Sequence, residues 1–178
     1  LLDIKGKALG VPVYALFGGA VRSRIPVYWS HCGSYRARYA ELLGVPRVNS
    51  YDDLAKLAEE VGRRGYGACK TNVMIHDGKT LAAYRPGFGA SKGYPELNWT
   101  NDIVEAARRT ASAFREGGGP SLGIMMDLNF NYKTEGFLRI AKVVEPVNMS
   151  WLEMDTHDAP SLALIRRSTS TPIASCET

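Results

Sequence analysis

Three apolar runs in the second half of the chain each close on an acid, and their spacing restricts the fold more than any other feature. The first runs from Gly123 to Asp127 and continues to Leu128 and Asn129; the others run from Val147 to Glu153 and from Thr171 to Glu177. The acids stand 26 and 24 positions apart, about the length of one strand, one helix and two short loops. Four or five apolar residues with no helical period, entered from the turn at 117–120, predict a strand covered on both faces, as in a parallel sheet. Alternation then puts Asp127 and Asn129 on one face. A lone strand-end Asp is more often a turn-former or cap. The recurrence shifts that balance, because parallel strands in a barrel or doubly wound sheet bring their C-terminal ends to one rim. Three carboxylates with no matching trio of cations nearby in sequence repel one another unless a hard cation lies between them, and oxygen ligands suit Mg²⁺, Mn²⁺ or Ca²⁺.

Composition excludes several classes of function. The 178 residues are 45% apolar and 22% charged, with no run long enough to span a membrane, and no signal peptide is expected. The formal charge of +4 is spread along the chain, and Arg36, Arg38, Arg63 and Arg64 are expected on solvated faces, so neither nucleic acid nor membrane is an expected partner. Cys32, Cys69 and Cys176 are odd in number and fall in or just after predicted strands, as reduced core thiols of a cytoplasmic protein would. The glycosylation-type triplets at Asn98 and Asn148 are then chance matches, the second inside a strand.

Along the chain, residues 1–24 form the end of a helix, a Gly stop and a short helical turn leading into the main domain at 25–178. Residues 25–32 are the first predicted strand, with His31 at its rim as a candidate substrate contact. Ser50 caps a helix over 51–64 whose Leu54, Leu57, Ala58 and Val61 face inward. The second strand, 68–73, carries Lys70 and Asn72 on one face. Lys is rarely buried unpaired, so Lys70 either has a role there or extends to the rim. Residues 74–99 are a long polar excursion of the kind used for lids. Further helices are expected from Thr100 or Asn101 through Phe114, near 134–144, and from Asp158 with Pro160 in the first turn. Strand and helix alternate to five strands, which indicates α/β architecture with a parallel sheet. The stretch from Gly89 to Gly93 fits a nucleophile elbow only in outline, since no apolar strand precedes it. Gly78-Lys79-Thr80 lacks the first Gly of a phosphate loop. His31, His76 and His157 lack zinc-type spacing.

Residues 3–14 (Asp-Ile-Lys-Gly-Lys-Ala-Leu-Gly-Val-Pro-Val-Tyr) and 16–19 (Leu-Phe-Gly-Gly) resemble the segment entering the barrel in the mandelate racemase branch of the enolase superfamily. Lys70-Thr71-Asn72, Asp127-Leu128-Asn129, Trp151-Leu152-Glu153 and Cys176-Glu177 extend the resemblance over essentially the whole chain. It implies a modified (β/α)₈ barrel of TIM type, present as roughly its first five βα units, with Asp127, Glu153 and Glu177 as Mg²⁺ ligands. The metal would hold a substrate carboxylate and stabilise the enediolate formed when a base removes the α-proton. Lys70 and Asn72 occupy the catalytic second-strand motif, commonly Lys-x-Lys. Asn72 cannot take a proton, so Lys70 is left as an electrostatic contact, and an acid-sugar dehydratase is implied ahead of a two-base racemase or epimerase of a 2-hydroxy acid. Some such dehydratases place a His where Asn129 stands, which leaves Asn129 as a substrate contact. A sugar acid is the expected small-molecule partner, within a homo-oligomer. A barrel of this kind takes about 250 residues, so the chain is expected to be an excerpt of a longer protein that supplies the base and a capping domain. A non-catalytic barrel that keeps the acids as ion pairs is the alternative of another class. A doubly wound domain binding a small ligand at its strand ends is a third, and the lack of a Gly-rich fingerprint after the first strand counts against its dinucleotide form.

Overall fold

Short strands buried on both faces need helices on one side and inward-pointing side chains on the other, and this chain supplies both. The computed structural model describes residues 1–86, 99–175 and 177. In chain order its elements are α1 (Leu2–Leu9), a 3₁₀ turn (Val13–Phe17), α2 (Ser34–Leu43), α3 (Tyr51–Arg63), β1 (Ala68–Asn72), β2 (Met74–His76), β3 (Leu81–Ala83), α4 (Asn101–Gly118), β4 (Gly123–Asp127), α5 (Thr134–Val144), a 3₁₀ turn (Glu145–Val147), β5 (Trp151–Glu153), α6 (Ala159–Arg167) and β6 (Ile173–Ala174). Strands β1, β4, β5 and β6 form one sheet in that order, and every ladder is parallel. Trp29 adds a parallel bridge to Cys69 on the free side of β1. Neighbours thus succeed one another without reversal. That is the winding of a barrel, whereas a doubly wound sheet reverses at its switch point.

Alternation divides each strand. Ile124, Met126, Leu152 and Cys69 are fully buried in a core with Leu54, Val61, Ala107, Ala111, Phe114, Phe137, Ile140 and Val144 from the helices. Lys70, Asn72, Met125, Asp127, Trp151 and Glu153 belong to the alternate positions, so the acids lie on the face away from the helices. The helix starts follow their caps. Ser50 Oγ accepts from Asp53 N–H at 3.1 Å, and Asp53 Oδ2 accepts from Asn49 N–H at 3.1 Å, a reciprocal box in which the acid reaches one residue before the cap. Thr100 Oγ1 accepts from Ile103 N–H at 3.3 Å and starts α4.

Several expectations are corrected. Residues 25–32 do not form a strand: Trp29 alone makes a bridge to β1, and after it His31 turns into left-handed backbone (φ 51°) before Cys32 N–H donates to the Lys70 carbonyl at 2.8 Å. Helix α2 was not expected, because its inward residues are only Ser34, Ala37 and Ala40 and leave almost no apolar period. The 74–99 excursion opens with the antiparallel hairpin β2–β3. Its turn is held by Asp77 Oδ1, which accepts from Lys79 N–H at 2.9 Å and Thr80 N–H at 2.8 Å; the phosphate-loop likeness of that stretch is a side-chain-capped turn. Gly117 and Gly118 lie inside α4, which continues past Phe114 and ends at Gly119 (φ 67°). Arg115 stabilises this extension, donating to the carbonyls of Val147, Gly119, Leu122 and Asn148 at 2.6–3.0 Å. Asn148 is therefore a left-handed turn residue (φ 56°) before β5, not a strand residue. Cys32 and Cys69 are both fully buried, and the hydrogen bond between them, with burial, raises the Cys32 thiol far above its usual range. The Gly89 to Gly93 stretch, Asn98 and Cys176 lie outside the described residues. Among the described residues no helix is long and apolar enough to cross a membrane.

Gly117 packs against the backbone of α3, and a Cβ there would overlap the Ala55 carbonyl oxygen. Backbone cannot give way as a flexible side chain does. Gly117→Ala should lower the denaturation midpoint by an amount equivalent to about 3 kcal/mol, the upper part of the usual overpacking range, whereas Gly62→Ala, in open space on α3, should leave it unchanged or slightly raised.

Candidate metal centre

Register places the acids. Asn72 pairs with Asp127 and Asp127 with Glu153, so the three form one row at the C-terminal ends of β1, β4 and β5. Glu177, just beyond β6, joins them: its N–H donates to Asp155 Oδ1 at 3.2 Å. One carboxylate oxygen each from Asp127, Glu153 and Glu177 lie within 4.8 Å of one another. Lys70 starts one row lower, in register with Met125. Its Nζ reaches Glu153 Oε2 at 2.7 Å and Asp127 Oδ2 at 3.4 Å, with 12% of its side chain exposed. Of the two possibilities for a Lys on this strand, pairing within the site is the one observed.

Each acid feels its neighbours. Burial raises the Asp127 carboxyl above its usual range and the Glu153 charge adds to this, against the lowering effects of Asn129 N–H and Lys70. Glu177 is raised by its hydrogen bond to Glu153 and then by the charges of Glu153 and Asp127, against Lys70. Burial works to lower Lys70, but the Glu153 hydrogen bond and the Asp127 charge outweigh it and hold the ammonium above its ordinary value. Lys70 is thus a fixed cation at neutral pH, and three acids surround one positive charge. Mutual crowding of hard oxygen donors is what a divalent cation relieves, so the donor set fits Mg²⁺.

The remaining candidates fall in different places. Asn129 reaches Asp127 by a turn, not by strand alternation: its backbone is left-handed (φ 50°), and its N–H and Nδ2 donate to Asp127 Oδ1 at 2.9 and 2.7 Å. This leaves Asp127 Oδ2 facing Lys70. Asn72 is buried, with Nδ2 donating to the Asp127 carbonyl at 3.3 Å and Oδ1 accepting from Ser34 Oγ at 3.1 Å. Its amide ties β1 to β4 and to α2. His31 stacks on Tyr35, with ring centroids 4.6 Å apart and planes 6° from parallel. Among the described residues no hydrogen bond joins its ring to the acids.

Two contributors escaped the sequence reading. Asp155 is 6% exposed; it holds Glu177 and lines a cavity of about 600 Å³ together with Thr134, Thr156, His157, Asp158 and Ser161. Its signal was Glu153-x-Asp155, the same two-residue spacing as Asp127-x-Asn129. Tyr28 packs edge-on against Trp151, centroids 6.0 Å apart, and its phenol adds to the field on Lys70. Nothing local marks Tyr28, since the bridge that aims it is tertiary.

Residues 53–178 match the family described as enolase C-terminal domain-like. A D-galactonate dehydratase family member from Streptomyces bingchenggensis is 31% identical over 98% of this chain and 41% of its own length. A D-mannonate dehydratase from Novosphingobium aromaticivorans is 27% identical over 98% of this chain and 42% of its own. The chain thus spans about two-fifths of the length of these relatives. A solved structure from Burkholderia xenovorans, provisionally named an L-alanine-DL-glutamate epimerase and bound to magnesium and fumarate, superposes with a TM-score of 0.91 at 42% identity, over 99% of this chain and 44% of that one.

Carboxyls raised in the folded state lend stability fully below their unfolded values and lose it as pH rises through the folded ones. In metal-free protein, Lys70→Met removes the cation that offsets this loss. It should cost about 3 kcal/mol near neutral pH, the low end for a broken buried pair because Glu177 is exposed. Thermal melts in EDTA should show the deficit shrinking as pH falls into the carboxylate range. An equal deficit at both pH values would mean that Lys70 acts through packing.

Proposed function

Because the chain belongs to the enolase C-terminal domain-like family, we propose that it forms part of a Mg²⁺-dependent site that removes the proton α to a carboxylate, with dehydration of a sugar acid as the leading reaction. The observation that carries this is the convergence of Asp127, Glu153 and Glu177 within 4.8 Å, with Lys70 against two of them. Those three acids would hold the ion, and the chemistry it supplies is positive charge where substrate carboxylate oxygens become more negative as the proton leaves.

This chain's own residues supply the rest of the argument. Lys70 adds a second fixed cation and, held protonated by Glu153 and Asp127, does not serve as the base. Asn129 fixes the orientation of the Asp127 carboxylate through two bonds to one oxygen. Asn72 takes no proton, and its amide bonds fix β1 against the Asp127 backbone. The hydroxyls and acids of the cavity beside Asp155 suit a polyhydroxylated tail. The named dehydratase relatives support this choice of reaction.

A second reading, epimerisation, is favoured by the 42% identity to the structure provisionally named an epimerase. The two differ in outcome. A dehydratase converts a sugar acid to a 2-keto-3-deoxy acid, whereas an epimerase returns the α-carbon inverted with a solvent-derived proton.

Calorimetry on the full-length protein should show one Mg²⁺ per chain, weakened by more than about 100-fold in Asp127→Asn, since even outer partners of a metal cost about 10- to 100-fold. A panel of sugar acids in deuterated water should then yield a keto acid with no deuterium in recovered substrate. Deuterium in recovered substrate with inversion would install the epimerase reading, and unchanged Mg²⁺ affinity in Asp127→Asn would remove both.

A further inference from the structure

The two ladders that end at the acid row leave its third member out. Asp127 pairs with Glu153, and Glu153 pairs with Ala174, so the residue that sheet register brings level with the first two acids is an alanine. Glu177 lies three positions further on, past the end of β6, and a chain continuing in line would carry it about 10 Å above the row. One of its carboxylate oxygens nevertheless comes within 4.8 Å of one each from Asp127 and Glu153. A contact outside the ladder has to turn it back.

Asp155 makes that contact. Its Oδ1 accepts from the Glu177 N–H at 3.2 Å, and its own N–H donates to the Asn129 carbonyl at 3.0 Å. Asn129 in turn donates from N–H and Nδ2 to Asp127 Oδ1 at 2.9 and 2.7 Å. A string of hydrogen bonds thus crosses the rim from the first acid to the third, through a residue two places beyond the second. Asp155 is 6% exposed, and a carboxylate so far from water needs a partner. Among the described residues the converging oxygens belong to Asp127, Glu153 and Glu177 and not to Asp155, so Asp155 acts on the row from outside it. We infer that Asp155 is the positioning residue of the acid row: its carboxylate supplies an acceptor where the β5–β6 ladder has ended, and holds the Glu177 backbone where the Glu177 side chain reaches the other two acids. The donor is a neutral amide, so the contact needs an acceptor on a short side chain; Asn supplies one and Ala does not. Only the effect of Asp155 on metal affinity rests on the Mg²⁺ reading of the site, and its effect on the Glu177 backbone does not.

The test compares the full-length protein with Asp155→Asn and Asp155→Ala, and with Asp155→Leu, which fills the space without an acceptor should the alanine variant fail to fold. Hydrogen exchange at the Glu177 amide is measured first, in EDTA. It should be about tenfold faster in Asp155→Ala, the loss of one hydrogen bond, and close to the unsubstituted rate in Asp155→Asn. Mg²⁺ titrated by calorimetry should then bind Asp155→Ala about 10- to 100-fold more weakly, as for other partners that orient a metal ligand, with Asp155→Asn within about threefold of the unsubstituted protein. Unchanged exchange at Glu177 in the alanine and leucine variants would overturn the inference. So would an asparagine variant as impaired as alanine, which would make charge the working part, or a lowered melting temperature with Mg²⁺ affinity intact, which would reduce Asp155 to packing. If the unsubstituted protein binds no Mg²⁺, the metal reading of the site falls, and the exchange rates in EDTA decide the role of Asp155 by themselves.

Discussion

Like-charge crowding at the ends of parallel strands is the constraint on which the site depends. Parallel register delivers Asp127 and Glu153 side by side, and the strand that follows leads to Glu177. Such a row is unfavourable in itself. The structure inserts Lys70 from one row below and turns Asn129 back on Asp127. One ammonium and two N–H groups of one residue leave negative charge over, and that surplus is what a divalent cation would offset.

The packing that supports the row is set by small residues as much as by large ones. Helix α4 presents Ala106, Ala107, Ala111 and Ala113 as buried positions and meets α3 where Gly117 leaves no side chain. Two helices can then lie close over β1 and β4, the strands that carry Lys70 and Asp127. The centre and the helix contact are linked through those strands: what fixes their height fixes the distance from ammonium to carboxylate.

Much of this was legible in the residues. The three acid-terminated runs, the caps at Ser50 and Thr100 and the period of Leu54, Leu57 and Val61 each carry a local signal, and each element is present. The strand order agrees with the barrel winding, and the TM-score of 0.91 places the chain within that architecture. What was not legible depended on partners far away in sequence. Helix α2 has too few apolar residues to announce itself and exists because Ser34, Ala37 and Ala40 meet the core. Residues 25–32 look like a strand by composition, but only Trp29 finds a ladder partner. Asp155 and Tyr28 gain their places from Glu177 and Trp151, contacts that no spacing rule encodes.

Arg115 has a consequence beyond ending a helix. Besides Gly119 at the helix end, the carbonyls it gathers belong to Leu122, immediately before β4, and to Val147 and Asn148, shortly before β5. One planar group at the far end of the sheet thereby levels the starting points of two strands, and equal starts along parallel strands give equal finishes. The alignment of Asp127 with Glu153 is accordingly inherited from below. Loops at the acid-bearing rim are released from the task of alignment, and their sequences are free to diverge with the molecule they must recognise while the row of acids keeps its level.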